Sequence, residues 1–128
     1  MATLTKEIIM CMGLCFFSML LAPDHILAQL VERVSLASDG TQGNDNNSNP
    51  SISADGQYVA FHSGATNLVP GDTNGRRDVF IHDTDTGVTT RVSLASDGTQ
   101  GNDNNSNPSI SADGRYVAFV SHATNLVP

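Results

Sequence analysis

Acid and amide oxygens are the groups in this chain best suited to chemistry. The segment Asp72-x-Asn74-Gly75-x-x-Asp78 offers two carboxylates and one amide oxygen within seven residues. Those are the hard oxygen donors that a calcium ion takes. The loop SDGTQGNDNNSN, at Ser38–Asn49 and again at Ser96–Asn107, concentrates the same donors. Neither segment follows the calcium-loop pattern D-x-[DN]-x-[DN]-G with its closing Glu. Asp72, Asn74 and Asp78 are the better calcium candidates, because they lead into a rigid strand start. The plainer reading is that Asn, Asp and Gly form tight turns here, since their side chains bond their own backbone.

Other reactive side chains carry less. His62, His82 and His122 lack metal-ligand spacing and read as strand-surface residues. Ser53 and Ser111 precede Asp-Gly instead of standing in a strained Gly-x-Ser-x-Gly elbow, so they read as turn formers. Arg76 and Arg77 form a basic pair that could take a carboxylate or sulfate, or simply be solvated. No catalytic residues and no cofactor-binding residues are assigned, and the expectation is a non-enzyme.

The elements that position these groups come from an internal repeat. Arg33–Pro70 and Arg91–Pro128 are identical at 35 of 38 positions, with an offset of 58 residues. They differ only at Gln57/Arg115, His62/Val120 and Gly64/His122, so the fold does not require His62. A period of this order indicates a propeller, solenoid or array, in which each repeat is one structural unit stacked on the next.

One period reads as four short strands without a helix. Pro50–Ser53 leads into an Ala54-Asp55-Gly56 turn. Gln57–Ser63 is rich in aromatic and β-branched residues. After a loop broken at Pro70-Gly71 and Asn74-Gly75 comes Asp78–Asp83, then a turn at Thr84–Gly87, then Val88–Ala95. The second and third strands are apolar on both faces, which suits a sheet sandwiched between neighbouring sheets. Tyr58 and Tyr116 read as packing between units. Four antiparallel strands per unit, joined by short turns, is the pattern of a propeller blade.

The unit NPSISADGQYVAFHS…RRDVFIHDTDTG resembles the TolB-like, WD-repeat-like β-propeller repeats of bacterial envelope and secreted proteins. The resemblance rests on Pro50, Ile52, Ser53, Asp55, Gly56, Tyr58, Val59, Ala60 and Phe61. It continues through Asp78, Val79, Phe80, Ile81 and Asp83, and ends on Thr86 and Gly87. It implies a binding or scaffolding platform and carries no catalytic residue across. Its long Asn/Gly/Asp loops depart from the tighter blades of that family.

The first 28 residues read differently. Lys6 precedes an uncharged run, Ile8–Ala22, of 15 residues. That is short of the roughly 20 a bilayer-spanning helix needs. A basic residue, a short apolar core and a small residue at the cut form the signal-peptide pattern, with Ala28 as the expected cleavage residue and a cut after Ala22 as the alternative. An uncleaved anchor is the alternative. Both cysteines, Cys11 and Cys15, lie in this segment. The expectation is therefore an exported protein, periplasmic or extracellular, that uses no disulfide and keeps no membrane span after cleavage.

The domain expectation is a signal peptide over 1–28 and a partial β-propeller over 29–128. It comprises a leading outer strand 30–36, a full blade 51–94 and a half blade 109–121. That amounts to an all-β propeller fragment of about 1.7 four-stranded antiparallel blades. Propellers close with about 4–8 blades, so the expected partners include missing blades of a longer parent chain or, alternatively, further copies of this one. The net charge of −7 argues against nucleic acid. The functional expectation is protein interaction or envelope scaffolding through an unidentified protein partner. The alternatives are an accessory propeller of a larger hydrolase or peptidase, or a calcium- or glycan-binding repeat protein.

Overall fold

The computed structural model describes residues 31–128, and the expected signal segment over 1–28 lies outside the described residues. The described residues are all β. Four strands, β1 (Asn47–Ile52), β2 (Tyr58–Ser63), β3 (Asp78–Asp83) and β4 (Thr89–Arg91), form one antiparallel sheet in the order β1-β2-β3-β4. Strands β5 (Asn105–Ile110) and β6 (Val117–Ser121) form a two-stranded antiparallel sheet. No helix occurs among the described residues.

Local chemistry sets the hairpins. Between β1 and β2, the Ser53 hydroxyl donates to Asp55 Oδ1 at 2.5 Å and accepts from the Tyr58 amide at 3.0 Å. Gly56 closes that turn at φ +80°, in the left-handed region where a side chain is costly. The second copy repeats the device, with Ser111 donating to Asp113 Oδ1 at 2.6 Å and accepting from the Tyr116 amide at 3.0 Å. Between β3 and β4, Asp83 Oδ1 accepts from the Asp85 amide at 3.0 Å.

Strand β1, at the edge of the sheet, starts three residues earlier than expected, at Asn47 instead of Pro50. The sequence places Asn47–Asn49 in a polar loop, yet they pair with the end of β2 through a bulge between Ser48 and Ser51. Asn49 sits in that bulge at φ +52°, and Asn107 repeats it at φ +51°. Asn tolerates this conformation better than other side-chain-bearing residues. Pairing only on one side lets β1 stay polar, because its other edge faces solvent. The second copy's pair likewise begins at Asn105, not Ser109, and there Asn105 is buried with its polar groups bonded to Asp78 and the Arg77 carbonyl. The opposite edge strand, β4, is shorter than the expected Val88–Ala95.

Val31–Ser35 forms no strand, contrary to the leading strand expected over 30–36, and Leu36 makes only an isolated bridge to Gln42. A strand is defined by its partner, and this segment has none among the described residues.

The register assigns the two faces of the four-stranded sheet. One carries Val59, Phe61, Phe80, His82, Thr89 and Arg91. Phe61 and Phe80 stack at 5.8 Å between ring centroids and pack with Ala65 and Leu68 as the core. The Thr89 amide on this face donates to Ser38 Oγ at 3.0 Å. The opposite face carries Tyr58, Ala60, His62, Val79 and Ile81, and the second sheet packs on it. There the Asn107 amide donates to His62 Nδ1 at 3.3 Å, and the Ala54 amide donates to the Ala112 carbonyl at 2.9 Å. Tyr58 lies so close to Gly114 that a Cβ on that glycine would sit 2.4 Å from the ring.

Candidate functional site

The structure brings Asp72, Asn74 and Asp78 together. The turn at Asn74-Gly75 folds the loop back, so that Asn74 Nδ2 donates to Asp78 Oδ2 at 2.9 Å. Asp78 opens β3 and is fully buried. The group lying between the two carboxylates is the Arg91 guanidinium at the end of β4. Its NH1 is 3.1 Å from Asp78 Oδ2 and 3.1 Å from Asp72 Oδ1. The three side chains are 7%, 0% and 2% exposed for Arg91, Asp78 and Asp72, so this is an ion triad out of water.

Three neutral residues complete the cluster. Ser93 Oγ donates to Asp78 Oδ1 at 2.6 Å and accepts from the Val79 amide at 3.1 Å. Asn105 Nδ2 donates to Asp78 Oδ1 at 3.2 Å, and its own amide donates to the Arg77 carbonyl at 2.8 Å. Gln100 Oε1 accepts from Arg91 NH1 at 3.1 Å and from the Thr73 and Asn74 amides at 3.2 Å each. Gln100 Nε2 donates to the Gly71 carbonyl at 2.8 Å. Asp78 is thus met by four donors, counting Asn74, Arg91, Ser93 and Asn105. Such charge-assisted bonds are the strong ones in a dry site.

Asp72 is less well served. It faces Arg91 without an aligned hydrogen bond, and among the described residues neither of its carboxylate oxygens has a hydrogen-bond partner. Burial pushes its carboxyl above the ordinary carboxylate range, against the pull of Arg91.

Chemically, the arrangement clamps one loop. Arg91, Ser93, Gln100 and Asn105 all belong to the sequence that begins the second copy, and they hold the Gly71–Val79 segment that lies between the two copies. The positive charge for the carboxylates comes from Arg91. The sequence reading found the acidic half of this cluster and missed the half that binds it. The signal was available: an arginine stands at the same place in each copy, Arg33 and Arg91, within an acidic chain.

The other candidates fall differently. His62 and His82 are buried, not on the strand surface as expected. His62 accepts from Asn107, and its pKa is lowered by burial and then by Arg77. His82 Nδ1 lies 2.8 Å from Thr89 Oγ1. His122 is exposed. Tyr58 packs between the sheets, while Tyr116 is 68% exposed. Ser53 and Ser111 serve the turns. Arg76 and Arg77 are exposed, with Arg76 NH1 3.9 Å from Asp103. Among the described residues no group of three or more His, Cys, Asp or Glu side chains is placed to hold a metal ion. A scan against protein-family models and a search of curated proteins return no match.

Proposed function

We propose that this chain is a non-enzymatic, exported β-propeller repeat protein that acts in protein interaction or envelope scaffolding. The observation that carries the reading is the Arg91 clamp. Among the described residues, a buried polar cluster at the first sheet, Asp72, Asp78 and Arg91, is tied to the second sheet through Asn105 of β5. A protein whose densest chemistry joins its own units is built to present an extended surface. The meander order of the first sheet and the second sheet seated on its face support successive blades.

Concatenated chains carrying increasing numbers of the 58-residue period test the architecture. A propeller gives a jump in melting temperature at one repeat number between about 4 and 8, where the ring closes. A smooth climb, as an open stack gives, overturns it. Hydrolase activity that follows the closed ring, and is lost on changing His62 or Ser53, would overturn the non-enzymatic reading.

The calcium reading of Asp72, Asn74 and Asp78 requires Arg91 to leave both carboxylates. An unchanged melting temperature in calcium against chelator removes it.

A further inference from the structure

The clamp has a second copy in this chain with its occupant missing among the described residues. Arg33, Ser35, Gln42 and Asn47 stand 58 positions before Arg91, Ser93, Gln100 and Asn105. Their internal arrangement is already formed. Arg33 NH1 donates to Gln42 Oε1 at 2.9 Å, as Arg91 NH1 does to Gln100 at 3.1 Å. Leu36 bridges Gln42 as Leu94 bridges Gln100. Yet Arg91, Ser93, Asn105 and Pro108 are buried, while Arg33, Asn47 and Pro50 are exposed and Ser35 is half-buried. Among the described residues no carboxylate reaches Arg33. The amide of Val92 donates to the Val79 carbonyl at 2.9 Å, and its counterpart Val34 has no such acceptor there. An open groove of about 450 Å³ marks the place, lined by Arg33, Ser35, Asn47, Pro50 and Phe61.

We propose that this groove is a docking site for a segment of the type Gly-Asp-x-Asn-Gly-x-x-Asp-(apolar)₃, carried by a further repeat of the same kind. The occupant follows from the residues that hold it elsewhere in the molecule. In the second copy the same four side chains hold the segment GDTNGRRDV, with two carboxylates on the arginine and a strand paired alongside. At the first copy the incoming aspartates meet Arg33, Ser35 and Asn47, and Gln42 receives the loop amides. The incoming segment pairs with the Val34 amide as Val79 pairs with Val92, which is strand addition with side-chain pockets for specificity. A second copy of this chain is a poor donor. Among the described residues the one such segment, at Gly71–Asp83, is already clamped by Arg91. This inference rests on the repeat-to-repeat reading above.

A fluorescent peptide of sequence GDTNGRRDVFIHD, titrated into the full chain, tests it. Saturable binding is expected. Arg33→Ala or Asn47→Ala in the chain, or Asp78→Ala in the peptide, should weaken it by about tenfold or more, as loss of a charge-assisted bond does. Circular dichroism checks that the variants keep the wild-type spectrum. A photo-crosslinker on the peptide should label residues 33–50 and not 91–108. Absence of saturable binding to folded chain overturns the proposal, as does binding indifferent to Arg33 and Asn47, or labelling confined to 91–108. Self-association of the chain alone that Arg33→Ala abolishes overturns the donor named here and makes a second copy the occupant. The concatenated series reports separately on ring closure, so either reading can fail without the other.

Discussion

Residues 33–70 and 91–128 are nearly the same sequence in two different situations, and the difference lies in their neighbours. Both copies make the same turns. Asn44 and Asn102 accept from the Thr66 and Thr124 amides, each at 2.9 Å, and Asn67 and Asn125 reach back to the Gln42 and Gln100 carbonyls, each at 2.8 Å. Their burial diverges wherever a second unit is involved. The opening of the second copy is buried by the loop preceding β3, and that of the first is open. At the other end the relation reverses: β2 is covered by β3 and the second sheet, while β6 has neither and leaves Tyr116 and Val120 exposed. Self-bonded turns are a local property, whereas the buried ion triad exists only where β3 and the loop before it close over the end of β4.

That contrast is tested by making the same substitution in each copy and comparing urea unfolding. The largest asymmetry is expected at the arginines. Arg91→Met strands Asp72 and Asp78 out of water and should cost about 3–5 kcal/mol, the effect of removing one partner of a buried pair. Arg33→Met should stay within about 0.5 kcal/mol, as exposed substitutions do. Equal losses would mean that the two sites are equally buried in solution.

Smaller effects follow at the amide and the glycine. Asn105→Ala takes the Nδ2 donor from buried Asp78, while its backbone amide still serves the Arg77 carbonyl, and should cost about 1–3 kcal/mol, against almost nothing for Asn47→Ala. Gly56→Ala and Gly114→Ala both suffer the left-handed backbone, with φ of +80° and +71°, each about 1–2 kcal/mol. Gly114→Ala also meets the Tyr58 ring and should cost about 1–3 kcal/mol more, as overpacking does. Tyr58→Ala should erase that excess and leave the Gly56→Ala cost unchanged.

The smallest effect is on pH dependence. Asp72 has a raised pKa, so between its ordinary value near 3.8 and its folded value the folded state binds more protons. Its contribution to stability therefore grows as pH falls through that window and is complete below it. Asp72→Asn removes that gain, so wild type should gain on the variant as pH falls towards 4. The turn aspartates act oppositely. Asp55 and Asp113 have lowered pKa values, first through the Ser53 and Ser111 hydroxyls respectively. Their contribution is present above the ordinary value and lost as pH falls through the folded one. Asp55→Asn and Asp113→Asn should therefore shift acid unfolding equally, since both turns are closed and exposed.

Much of the fold was legible where the chain acts locally. β3 spans Asp78–Asp83 as its apolar run with charged ends implies, and β2 begins one residue inside the expected Gln57–Ser63. The turn glycines and the Ser-x-Asp-Gly closures needed only short-range chemistry. Asn47–Asn49 escaped because polar residues in a strand are tolerated only where one edge is wet, and wetness is not written in the segment. The histidines escaped for a similar reason. His62 and Val120 share a register position, yet His62 is covered by Asn107 and Val120 is 48% exposed.

The candidate site divides the same way. Asp72, Asn74 and Asp78 were evident as a cluster of oxygens, because a short loop with a glycine brings them together by itself. What they bind was not, because Arg91, Ser93, Gln100 and Asn105 lie 13–33 residues further along and reach them only once the sheet is built. By itself the sequence determined the strands, the tight turns and the repeat, since each depends on bonds among residues a few positions apart. Only the tertiary structure decided which of two identical arginines is buried between carboxylates and which is left open. Burial requires a neighbouring unit to exclude water, and identical residues cannot encode that difference.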